Sequence, residues 1–116
     1  MDLSKLKLGK FKRISTMNFP KSFDLGIVST AINPEVIIYF INKVDDIKRF
    51  VEFCNSTRLP KDNRTIMVYQ KGRKDLNRDI IITPFRNGTY HNFKFKAPML
   101  CSLSNELSAF VLTKGK

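Results

Sequence analysis

The chain has few carboxylates, one histidine, two cysteines, scattered glycines and no long apolar run, and each shortage closes off a class of function. No segment approaches the roughly 20 consecutive apolar residues that a membrane span requires. Residues 1–8 alternate lysines with isolated leucines and hold neither a continuous apolar stretch nor a small-residue cleavage site. The expectation is a protein with no membrane partner and a cytoplasmic address. His91 stands alone, so no imidazole pair exists for a metal, and nothing at recognisable spacing would make it a general base. Cys54 and Cys101 sit among apolar neighbours and match no zinc or redox spacing, as expected of two buried thiols acting as small hydrophobes. The five glycines are dispersed and residues 10–19 contain none, whereas a dinucleotide-binding fold places a glycine-rich turn after its first strand and an acidic residue near the end of the next. No cofactor, no metal and no catalytic residue are therefore expected.

What is abundant is positive charge: 21 Lys and Arg against 10 Asp and Glu, a net charge of +11 over 116 residues. The surplus is uneven. Residues 1–22 and 58–96 are strongly basic, whereas residues 23–57 are slightly acidic. Such a field favours encounter with nucleic acid, anionic lipid or an acidic protein without conferring specificity, and a solvated surface that aids solubility explains it equally well.

The length suits a single domain over residues 1–116. Residues 1–8 read as a poorly ordered lead-in or a short amphipathic helix anchored by Leu3, Leu6 and Leu8. Residues 10–15 predict a first strand, with Phe11 and Ile14 as its apolar contacts. Residues 21–34 are left irregular, with 26–28 open as a short edge strand. The run of six apolar residues from Val36 to Ile41 needs cover on both faces and predicts a central strand of a parallel sheet. A helix over 43–55 follows, capped by Asn42, with Asp45 and Asp46 in its first turn and a buried stripe at Val44, Ile47, Phe50, Val51 and Cys54. Residues 65–69 predict the second parallel strand. Residues 75–83 fit either a strand, from three consecutive isoleucines, or a short helix with Asp75 as its cap and Pro84 near its end. Asn87 and Gly88 mark a turn, residues 93–96 alternate as a strand, and residues 97–103 and 107–113 predict an antiparallel hairpin closing the sheet.

The run 36–41, its helix, Tyr69 with Lys71, the stretch Asp75-Leu76-Asn77-Arg78-Asp79 and the terminal hairpin together resemble a family of small uncharacterised bacterial proteins. That family is similar to the C-terminal half of a class I S-adenosylmethionine-dependent methyltransferase. The likeness spans about two-thirds of the chain. It implies a Rossmann-like α/β domain of two or three layers, with a mixed sheet built on a central parallel βαβ unit and a C-terminal antiparallel hairpin. It also implies that 75–83 is helical. Family members often have proline after the tyrosine, where this chain has Gln70.

Open α/β sheets bind ligands beyond the carboxyl ends of their strands, which singles out Asn42 after the first core strand and Lys71, Arg73, Lys74 and Arg78 after the second as an anion-binding group. Tyr69, Tyr90, Phe93 and Phe95 interleave with basic residues as a stacking platform would, although core packing accounts for them too. Asp45, Asp46, Asp75 and Asp79 are explained as helix-start charges. A non-catalytic binding or interaction module fits best. Nucleic-acid or other polyanion binding through a basic face stays open, as does an enzyme of unrecognised type related to methyltransferases.

Overall fold

Six apolar residues in succession cannot alternate between core and solvent, and all six residues of Val36–Ile41 are buried in a strand with protein on both faces. The computed structural model describes residues 3–23, 25–27, 29 and 32–115, without the side chains of Lys96 and Ala97. A single 3-10 turn at Ser4–Leu6 is followed by β1 (Ile14–Met17), β2 (Val36–Ile41), α1 (Val44–Ser56), β3 (Arg64–Gln70), α2 (Arg78–Arg86), β4 (Phe95–Ser102) and β5 (Leu107–Lys114). The strands form one sheet in the order β1-β2-β3-β5-β4. The first three are parallel, with Val36 opposite both Ile14 and Arg64. β5 then runs antiparallel to β3, with Thr65 opposite Leu112, and β4 antiparallel to β5. This is the mixed α/β domain expected, a parallel βαβ unit extended by an antiparallel hairpin.

Alternation along the strands assigns each face its own cover. Ile37, Tyr39 and Ile41 of β2, with Met67 and Tyr69 of β3, pack against Ile47, Phe50 and Cys54 of α1 and Ile81 and Phe85 of α2. Val36, Ile38, Phe40, Ile66 and Val68 face the other way, where Leu6 and Phe11 are buried and Phe19, Phe23, Leu25 and Ile27 pack in part. The molecule has three layers, but the third is an irregular N-terminal segment rather than a helix. The rings of Phe19 and Phe23 lie 5.4 and 5.7 Å from that of Phe40. At the outer edge of β1, Ser29 Oγ accepts the Thr16 N–H at 3.0 Å, so part of that edge is protected from pairing with another chain.

Several local expectations are corrected. β1 starts at Ile14, because Glu35 Oε1 accepts the N–H groups of Lys12 (3.0 Å) and Arg13 (3.1 Å) and withholds them from a ladder. Of residues 1–8, the first two lie outside the described residues; Ser4–Leu6 form the short helical turn, with Leu6 fully buried. The edge strand considered at 26–28 includes Val28, outside the described residues, while Gly26 and Ile27 are irregular. α1 is not capped by Asn42. Asp46, 2% exposed, turns back and accepts the N–H groups of Asn42 (2.9 Å) and Lys43 (3.1 Å), while Val44, expected in the buried stripe, is left 52% exposed.

Residues 78–86 are helical, which decides between strand and helix. The cap is Asn77, whose side chain accepts the Ile80 N–H at 3.0 Å, because the carboxylate of Asp75 is held by Arg73. The helix also runs past Pro84, giving up one backbone bond. Phe85 compensates by packing edge-on against Phe93 and Phe95. Asn87 then closes α2 through its N–H to Thr83 O, and Gly88 takes the left-handed conformation (φ 86°) that suits glycine after a helix end. Residues 93–96 are not a separate strand. Their last two open β4, which is irregular between Lys96 and Met99, around Pro98.

Candidate functional site

The parallel strands give the sheet two chemically different ends. At the carboxyl end, the fold brings Asn42 and Arg73 together as the sequence implies, but engages Arg73 and Lys71 with the protein while Lys74 and Arg78 stay exposed. Arg73 Nη1 donates to Asn42 O (2.7 Å) and Oδ1 (3.2 Å), while its Nε and Nη2 grip Asp75 at 3.0 and 2.7 Å. That fork holds the Asp75 carboxyl below its ordinary range. Lys71 Nζ donates to Ser102 Oγ (2.5 Å) and Ser104 O (2.7 Å). Arg78 is 3.9 Å from Asp79, and Lys74 is exposed without an ion pair among the described residues. Counting Lys21, Lys43, Arg49, Lys71, Arg73, Lys74 and Arg78 against Asp45, Asp46, Asp75, Asp79 and Glu106, this end is only weakly positive.

Beside it, β1 ends in Asn18-Phe19-Pro20. Asn18 has φ 64° and donates Nδ2 to Phe40 O at 2.9 Å; with Phe19, Phe40, Asn42 and Arg49 it lines a cleft of about 460 Å3.

The amino end is different in kind. Lys10, Lys12 and Arg13 lead into β1; Arg58, Lys61 and Arg64 lead into β3; Lys94 precedes β4; and Lys114 arrives from the far end of β5, because β5 is antiparallel. Against these eight cations stand Glu35 and Asp62. Asp62 pairs with Lys10 at 2.6 Å and Arg64 at 3.4 Å, which holds its carboxyl below the ordinary range. Glu35 lies 4.0 Å from Arg13, and its acidity is raised chiefly by the N–H groups of Lys12 and Arg13. Lys12, Arg58, Lys61, Lys94 and Lys114 have no ion pair among the described residues. Local sequence could not show this convergence, which is made by topology from positions 10 to 114.

The aromatic residues form no open platform. Tyr69 and Phe93 are buried, and Tyr90 and Phe95 pack on Phe85 beside α2. Cys54 and Cys101 are both free and buried, on opposite faces of the sheet; burial pushes the Cys54 thiol far up. Among the described residues no group of three or more His, Cys, Asp and Glu could hold a metal, and no helix is long and apolar enough to cross a membrane. No family model, no curated protein and no solved structure matches the chain.

Proposed function

We propose that this protein is a non-catalytic binding module whose partner is a polyanion, nucleic acid in the first instance, held across the amino end of the sheet. The observation that carries the reading is the convergence there of eight cations with two carboxylates, five of the cations without an ion-pair partner among the described residues. Along a strand, contacts would fall on phosphates rather than on stacked bases, because the aromatic rings are committed to packing. The loop cations at 71–78 contribute less, the donors of Lys71 and Arg73 being occupied by the protein and the charges of that end being partly offset by nearby carboxylates.

The parallel strands feeding an antiparallel hairpin support the likeness to a methyltransferase C-terminal half. Asn18-Phe19-Pro20 after β1 supports a version of that fold without the cofactor site. A cytoplasmic address is favoured by two free thiols placed where they cannot pair with each other. The test is fluorescence anisotropy with labelled duplex and single-stranded DNA and RNA over a range of salt. Affinity should fall steeply as salt rises, by a slope of about 0.9 per neutralised duplex phosphate, and should depend little on sequence. Absence of salt-dependent binding at low ionic strength would refute the reading. Calorimetric titration with S-adenosylmethionine should give no saturable heat; stoichiometric binding would favour an enzyme instead.

A further inference from the structure

A cleft of about 690 Å3 opens at the amino end of the sheet, between the last turn of α1, the loop into β3 and the end of β5. It is built from inside by Asn63, which is 1% exposed. Asn63 Nδ2 donates to Pro60 O (2.7 Å) and Lys114 O (3.1 Å), and its Oδ1 accepts the Lys114 N–H (2.9 Å). One buried amide thus ties the loop carrying Arg58 and Lys61 to the strand end carrying Lys114, and all three cations line the cleft. The facing wall is the carboxyl end of α1. The hydroxyls of Ser56 and Thr57 both donate to Phe53 O, while among the described residues no side chain donates to the carbonyls of residues 54–56. Leu59 and Pro60 add apolar surface.

A bare inorganic anion would suit the cations but face the negative end of a helix. A nucleotide answers both walls, presenting phosphate to the cations, hydroxyl and amino donors to the carbonyls, and a base to Leu59 and Pro60. The volume lies within the roughly 300–1,000 Å3 of small-ligand sites. A terminal phosphate monoester also carries about −1.5 to −2 charges, against one for each phosphate inside a strand, so three cations in one cleft discriminate in favour of an end. We propose that this cleft holds a nucleoside 5′-phosphate unit, as a free nucleotide or as the end of a strand, with Arg58, Lys61 and Lys114 taking the phosphate and Asn63 as the positioning residue. The proposal rests on the polyanion reading of the same face and adds a discrete site to it.

Two measurements test it, amide NMR titration with AMP and anisotropy of a short single-stranded oligonucleotide bearing a 5′-phosphate or a 5′-hydroxyl. AMP should shift residues 55–61 and 114–115, with adenosine and inorganic phosphate much weaker, and the phosphorylated strand should bind about tenfold tighter than its hydroxyl twin. Lys61→Gln and Lys114→Gln, both solvent-reachable changes, should remove these effects. Asn63→Ala, read on protein whose amide spectrum shows it folded, should weaken AMP binding. AMP shifts without an end preference would identify the free nucleotide as the occupant, and the converse the strand end. Neither effect, with salt-dependent duplex binding intact, overturns the inference and leaves the polyanion reading standing; absence of nucleotide and duplex binding together overturns both.

Discussion

Asn63 is a buried polar side chain, tolerated because its amide is fully engaged with Pro60 and Lys114. Replacing it with Ala leaves one N–H and two carbonyls short of a partner, and should lower stability by about 2–4 kcal/mol in chemical denaturation. Glu35 acts through its charge. Its pKa in the folded protein is depressed from an ordinary value of 4.5 by the N–H groups of Lys12 and Arg13, so its contribution is present above that value and is lost as pH falls through the folded one. The thermal midpoints of Glu35→Gln and wild type should therefore differ near neutrality and converge as pH falls below 4.5 and through the folded value; a gap that stays constant with pH would contradict this. Cys54, whose thiol is pushed up by burial, should resist iodoacetamide at neutral pH until denaturant is added.

Among the elements, Phe40 joins β2 to the irregular N-terminal layer through Phe19 and Phe23. Phe40→Ala should cost about 3–5 kcal/mol, and Phe19→Ala less, Phe19 being only partly buried. β2, α1, β3 and the hairpin were legible because each leaves a periodic trace: an unbroken run, a 3.6-residue stripe, a β-rich run and two arms about a polar turn. The errors came from partners distant in sequence or from competing local geometry. Glu35 takes the N–H groups before β1 from 22 and 23 residues away. Asp46 displaced Asn42 as cap, and Phe85 carried α2 beyond Pro84. The same physics governs residues 71–78, whose clustered charges look free in the sequence and meet Asp75, Ser102 and Ser104 only in the folded chain. Because Arg73 braces Asn42 against Asp75, Arg73→Glu should depress the thermal midpoint well beyond Lys74→Glu, which faces solvent.

At the scale of the molecule, the sheet polarises a basic chain into one strongly positive end and one weakly positive end. No stretch of sequence displays that polarity, since Lys10 and Lys114 share an end only through the reversal of β5. The central claim is that the amino end binds polyanions, and the most direct test is the slope of log affinity against log salt for duplex DNA in wild type and two triple variants. Neutralising Arg58, Lys61 and Lys114 to Gln should weaken binding and flatten the slope by about 0.9 for each phosphate no longer neutralised, whereas neutralising Lys71, Lys74 and Arg78 to Gln should change it little. An equal response from the two ends, or no salt-dependent binding in the wild type, would contradict the account.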